Sequence, residues 1–437
     1  MRNKVLFLLL LLCSQSLYAT AKIENWQTAH GSRVYFVQTT GLPLVDIRVV
    51  FDAGSARDGE QYGISSLTSA LLGTSAGEWD TDTIAQRFEN VGAQFGASTS
   101  RDMGWLSLRS LTQKDLLTPA LETLQVILAS PAFDEKDFKR EKQLTLAALK
   151  HREEQPGALA SIAFNKALYG EHPYAHPVSG FTKNVAALNA DDLKRFYQRY
   201  YVASNAIVVI VGNMDRQQAK VTAEQLLSGL PVGEKPAEIP RVVSPEQGVT
   251  EHIEFPSTQT HVLSGLPGVY RKDPDYFALY VGNHILGGSG LVSKLAEEVR
   301  EKRGLAYSAY SYFSPLFRKG AFTMGLQTRN DQTQKAVSVM LKTLRDFIAN
   351  GPTDKELDAA KKNITGGFVM RFDTNSKLTS YVAMIGFYQL PLNYLDTFSE
   401  KITAVSTAAI KDAFKRRVNP DLLQTVTVGA TTEAGAK

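Results

Sequence analysis

The order of elements in the first half of this 437-residue chain recurs in the second half. A repeat of that length restricts the fold to two copies of one unit. In the first half, Val45, Ile47, Val49 and Phe51 alternate with polar residues, which predicts a strand over Leu44 to Phe51. A helix follows with Ile64, Leu67 and Leu71 on one face, then a strand pair (Ala93 to Ser100, Trp105 to Leu111). Helices from about Gln113 to Leu128 and Asp134 to Arg152 come next, and a helix from Asp191 and a strand at Ala206 to Val211 close the unit. The second half predicts the same order. It has a strand at His261 to Leu266, a helix at Pro274 to Leu286, a strand pair at Tyr307 to Ser314 and Gly320 to Thr328, and helices at Gln332 to Ala349 and Lys355 to Phe372. A helix at Thr407 to Val418 and a strand at Leu423 to Val428 close it. FDEKDFKREKQLTLAAL parallels TDKELDAAKKNITGG, and DDLKRFYQRYYVASNAIVVIVGN parallels AAIKDAFKRRVNPDLLQTVTVGA.

The implied fold class is α+β. Two homologous α/β-roll lobes, each a mainly antiparallel sheet with helices on one face, span residues 22–230 and 250–437 in a clamshell-like arrangement. Residues 231–249 form a linker rich in Pro and Gly. A cleft between such lobes could hold an extended peptide, and free strand edges would read its backbone.

Residues 1–21 read as a secretory signal. Arg2 and Lys4 precede the apolar run Val5 to Leu12, and Ala19-Thr20-Ala21 is a cleavage-type site. A periplasmic location is expected. The run is too short to span a membrane, and no later segment is apolar enough. Lipid attachment at Cys13 is disfavoured by the bulk of Leu12. Cys13 is the only cysteine, so the mature chain would have no disulfide, thiolate nucleophile or cysteine metal site. Loss of Arg2 and Lys4 lowers the net charge from +4 to +2, and no basic tract interleaves with aromatics. Nucleic acid is not an expected partner.

Four segments resemble the M16 (pitrilysin-like, inverzincin) metallopeptidases. They are GISSLTSALLGT at 63–74, ALYGEHPYAHPVSG at 167–180, the two lobe-closing strands that end in V-G, and ILGGSGLVSKLAEEVREKRGLAYSAYSYFSP at 285–315. In an active member, the first segment carries H-x-x-E-H and a downstream helix supplies a third ligand, a Glu. Together they hold zinc with one open position for water. Here Ser66, Ser69 and Ala70 stand at the H-x-x-E-H positions, and Ala147 and Ala148 stand where the third ligand would be. Metal is therefore not expected in this chain. Glu153 and Glu154 lie one to two turns beyond. His172 and His176 are four apart but flanked by Pro173 and Pro177, so a loop is expected there rather than a helical ligand pair. His284 reads as a packed histidine. Ser65 or Ser66 is expected to cap the 64–71 helix. No G-x-S-x-G or G-K-[ST] motif is present, and Ser65, Ser66 and Ser69 lack an adjacent base.

The resemblance implies that Arg303 and Tyr307 in REKRGLAYS grip substrate, with Arg300, Gly287 and Gly288 in support. A guanidinium can fork onto a carbonyl or carboxylate, and a phenol can donate to a developing oxyanion. Some family members divide the work, with one subunit bringing the zinc site and a zinc-less partner bringing substrate contacts. This chain is expected to be the second kind, acting in trans on peptide held beside an H-x-x-E-H subunit that carries the zinc. The alternative is a peptide-binding or scaffold protein without protease activity.

Overall fold

The computed structural model describes residues 22–431, so the reading of residues 1–21 as a signal lies outside the described residues. The duplication is visible in the two sheets. The first contains β1 (Glu24–Gln27), β2 (Arg33–Gln38), β3 (Leu44–Phe51), β4 (Gln94–Thr99), β5 (Gly104–Leu111) and β6 (Ala206–Gly212), in the order β1-β2-β6-β3-β5-β4. The second contains β7 (Val249–Glu254), β8 (Gln259–Pro267), β9 (Ala306–Phe313), β10 (Ala321–Arg329) and β11 (Gln424–Gly429), in the order β7-β11-β8-β10-β9. Omitting β1, the orders coincide strand for strand. Each sheet is antiparallel except for one parallel pair, β2 with β6 and β7 with β11.

Helices cover one face of each sheet, as the periodicity predicts. Leu67 and Leu71, Leu124 and Ile127, Leu193, and Leu226 share one core with Val45, Ile47, Leu106, Val208 and Ile210. The opposite faces are where the lobes meet. The helix Pro156–Tyr169 leaves the first lobe and packs on β8 and β11 of the second; the helix Asn375–Phe387 leaves the second and packs on β2, β3 and β6 of the first. Ala160, Phe164 and Leu168 bury against Val426 and Val428. Leu378, Val382 and Ile385 share a core with Tyr35, Val37, Val209 and Val211. This exchange explains why AIVVIVG in β6 and QTVTVG in β11 are buried along their whole length, since both strands are covered on two faces. Gly265 is needed on β8 because a Cβ there would lie 2.9 Å from the Phe164 ring and would also strike the Phe322 carbonyl.

A buried polar node ties the same seam. Asp102, 1% exposed in the β4–β5 turn, accepts from the Tyr174 hydroxyl (2.6 Å), the Tyr388 hydroxyl (2.8 Å) and the Phe317 N–H (2.8 Å). Burial raises its pKa, and the three donors oppose that rise. The Pro-rich segment is strapped to this seam. Its Ala237 carbonyl accepts from Arg57 (2.6 Å), Ile239 is 2% exposed, its carbonyl accepts from Arg318 (2.6 Å), and the Pro240 carbonyl lies 3.0 Å from His172 Nε2.

One predicted element is shorter. The Lys355 to Phe372 helix is α-helical only over Asp354–Gly366, because Gly366 and Gly367 end it before a short turn at Val369–Arg371.

Candidate functional site

The helix that would carry the metal starts at Gly63, whose φ of +98° is open to glycine. Its first N–H groups are satisfied by Asp58, which accepts from Gly63 N (2.7 Å) and Ser65 N (3.2 Å). This corrects the expected serine cap: a carboxyl from the preceding turn does the work. Burial pushes the Asp58 carboxyl up to about 7 despite those hydrogen bonds. His176 lies behind it, with Nδ1 4.0 Å from the Asp58 carboxyl, 4% exposed and stacked on Tyr62 at 4.3 Å between ring centroids. Burial lowers His176 to about 4. His172 and His176 lie in a loop, as the flanking prolines predict, and His172 Nδ1 accepts from Tyr174 N (3.1 Å). A cavity of 570 Å³ opens beside this loop, lined by Tyr62, Leu159, Ile162, Ala163, His176 and Phe181 among others.

Asp58 and His176 make a testable pair. In the native state the carboxyl holds its proton up to about 7 and the imidazole is neutral down to about 4. Unfolded, the carboxyl ionises near 3.8 and the imidazole protonates below 6.5. Both states therefore carry one proton between about 4 and 6.5, and the pair contributes no pH dependence there. His176→Phe leaves Asp58 alone. Its folded pKa is raised, so its contribution is full below 3.8 and is lost as pH rises to about 7. Denaturant melts should show the variant losing stability across pH 4–7 relative to the parent; parallel pH profiles would contradict this assignment.

The helix Ile64–Leu71 packs along Glu135–Glu153, so the two-helix frame of a zinc site is intact. Its occupants are not ligands. Ser66 is half-buried, Ser69 is 4% exposed with its hydroxyl unpartnered, and Ala70, Ala147 and Ala148 are exposed. The Glu153 carboxylate accepts from Thr182 Oγ1 (2.6 Å), and Glu154 lies 3.8 Å from His151. Among the described residues no three His, Cys, Asp or Glu side chains converge as a metal-binding group.

The second lobe presents Tyr307, 83% exposed at the start of β9. The Arg300 guanidinium lies 4.8 Å from its ring centroid. Arg303, expected with Tyr307 to contact substrate, donates to the Glu298 carboxylate (2.6 Å) and carbonyl (2.8 Å). The reason is helical pitch: Arg300 sits on a π-helical segment (Ala296–Glu301) that aims it at the strand, whereas Arg303 follows the helix end and closes on it. The cation–tyrosine pair is therefore Arg300–Tyr307. Gly287 and Gly288 have packing reasons of their own. A Cβ on Gly287 would collide with Ser311 N on β9, and one on Gly288 would lie 2.9 Å from Asn283 Nδ2. His284 is half-buried, as a packed histidine would be.

Two family profiles match the chain, described as "Insulinase (Peptidase family M16)" over residues 33–180 and "Peptidase M16 inactive domain" over residues 187–364. A Helicobacter pylori protein named "Non-peptidase homolog YmxG" is 28% identical over 418 residues, covering 94% of this chain and 95% of its own. The "Uncharacterized zinc protease YmxG" of Bacillus subtilis is 26% identical over 359 residues, covering 82% and 86%. The crystal structure of a peptidase M16 inactive domain from Pseudomonas fluorescens superposes with a TM-score of 0.91 at 37% identity, covering 94% of this chain and 98% of that one. The matched profiles span most of the chain, and the metal-ligand positions hold Ser and Ala. The chain belongs to the M16 peptidase family; it keeps the two-lobed fold and carries Ser and Ala where the zinc ligands of that family would stand.

Proposed function

We propose that this protein is the substrate-binding subunit of a periplasmic M16-type heterodimer, whose other subunit carries H-x-x-E-H and the zinc. The observation that supports this is an asymmetry. The zinc frame holds Ser66, Ser69, Ala70, Ala147 and Ala148, while Arg300 and Tyr307 stand together with Tyr307 83% exposed. A structural tyrosine buries its ring or bonds its hydroxyl. This one does neither, which supports a role in contact with something outside the chain. The in-trans role follows from chemistry: a phenol can donate to the oxyanion that forms when zinc-bound water attacks a peptide carbonyl.

The test is affinity capture of the tagged protein from its own cell envelope, with zinc and peptidase activity read on the isolated chain and on the eluate. The expected result is a co-eluting H-x-x-E-H protein, with zinc and cleavage present in the complex alone. Zinc added to the isolated chain should leave its melting temperature unchanged, because a ligand that binds the native state must raise it. Capture of no such partner would favour a peptide-holding scaffold, and stoichiometric zinc in the lone chain would overturn the ligand reading.

A further inference from the structure

Strand β9 reads AYSAYSYF, and its three tyrosines share one face by an irregularity. Tyr307 and Tyr310 are three residues apart, which in a regular strand puts them on opposite sides. The register with β10 pairs Ala309 with Leu326 but Ala306 with Thr328, so β9 uses three steps where β10 uses two. This is a β-bulge, which re-aims a side chain. Ala306 and Ala309 are both buried, while Tyr307, Tyr310 and Tyr312 are all exposed (83%, 39% and 44%). The Tyr310 and Tyr312 rings stack at 5.9 Å with 10° between their planes. Tyr310 lies over Gly325 of β10, where a Cβ would strike the phenol, so the glycine lets the ring lie flat on the sheet.

The strand then runs into a cavity of 390 Å³ whose lining includes Tyr312, Ser314, Arg271, Tyr276, Tyr280 and Asn283. Arg271 stands out in it. Among the ion pairs of the described residues, Arg271 has no carboxylate partner; beside it, Asp275 pairs with Arg416 and Arg417, and Asp273 pairs with Arg417 through Oδ1 while its Oδ2 is buried without a partner. Its Nε is buried without a hydrogen-bond partner, and its guanidinium lies 5.4 Å over the Tyr388 ring. Arg371 donates to the Tyr280 hydroxyl (2.7 Å), which leaves that phenol's own proton uncommitted by this bond. A cation without a counter-charge, flanked by phenols in a cavity, suits an anion.

We propose that the tyrosine face of β9 and the Arg271 cavity form one track for an extended peptide, in which Tyr310 and Tyr312 lie along the peptide and Arg271 receives a peptide carboxylate. The carboxylate is either the C-terminal group or an acidic side chain. Tyr312 lies five positions beyond Tyr307, which the bulge shortens to four ladder steps of about 3.3 Å each, so the carboxylate falls at least four peptide residues from the Tyr307 contact. This inference rests on the peptide-binding reading above and adds a register and a charge to it.

The test uses the purified protein and three fluorescent decapeptides of one uncharged sequence: a free acid, its C-terminal amide, and the amide with Glu at the last position. Anisotropy titration is expected to show the free acid, the Glu peptide or both binding roughly tenfold tighter than the neutral amide, as a charge-assisted fork predicts. Which of the two gains identifies the source of the carboxylate. Arg271→Gln should remove that preference and leave amide binding unchanged. Arg271→Lys keeps a cation above Tyr388 and loses the fork, so it should keep only part of the preference; it serves as the second variant if Arg271→Gln melts early. Tyr312→Ser should weaken all three peptides alike. Equal binding of the three peptides to the parent would overturn the Arg271 track while leaving the peptide-binding reading standing. Binding of none would sink that reading as well.

Discussion

Tyr307→Phe should lower peptide cleavage by the assembled complex about 100-fold, in kcat and with little change in KM. Loss of one oxyanion donor costs on that order, and the donor acts only as charge develops on the carbonyl oxygen. The ring is retained, so contact with Arg300 at 4.8 Å survives and the isolated variant should melt like the parent. Arg300→Ala should act differently. On the proposed reading it removes a ground-state contact to the peptide, so it should chiefly raise KM. Arg303→Ala should behave nearly as the parent, because Arg303 is engaged with Glu298. Steady-state kinetics on the three variants separates these roles. Unchanged turnover in Tyr307→Phe would remove the in-trans role, and a larger loss in Arg303→Ala than in Arg300→Ala would reverse the pairing seen in the structure.

The second large effect concerns the seam. Phe164→Ala should destabilise the protein by about 3–5 kcal/mol, the usual cost of truncating a buried Phe. Phe164 is 3% exposed, and it sits on the helix that crosses from one lobe to the sheet of the other, against Val426 and Val428. Because each lobe lends a helix to its neighbour, the parent should unfold in one calorimetric transition. Phe164→Ala should broaden or split that transition as the lobes uncouple. Two separated transitions in the parent would show that the exchanged helices do not couple the lobes.

In the Asp58–His176 pair of the first lobe and in the Asp102 node of the seam, hydrogen bonds or neutrality offset the cost of burying a carboxyl.

How much of this was legible in the sequence depends on whether a signal is local. The strands Leu44–Phe51, Gly104–Leu111, Ala321–Arg329 and Gln424–Gly429 were readable because alternation or a short apolar run marks them. The eroded zinc helix was readable because a motif is a fixed spacing, and Ser66, Ser69 and Ala70 fall within it. The two exchanged helices were not readable. Pro156–Tyr169 and Asn375–Phe387 touch more than one element, so their apolar residues do not gather into one stripe, and periodicity does not single them out. The Asp58 cap was missed because serines in the first turn offered a nearer explanation. The Arg300–Tyr307 pairing and the common face of Tyr307, Tyr310 and Tyr312 were out of reach, because a π-helical segment and a β-bulge shift side-chain direction by one residue's worth of backbone.

The sequence by itself determined the duplication, the family resemblance and the loss of the metal ligands, since each is a matter of residue identity at a given spacing. Only the tertiary structure decided which arginine meets the tyrosine, which helices lock the lobes together and where an unpaired guanidinium faces a cavity. Those depend on small irregularities of backbone and on contacts between segments more than a hundred residues apart, and neither leaves a periodic trace along the chain.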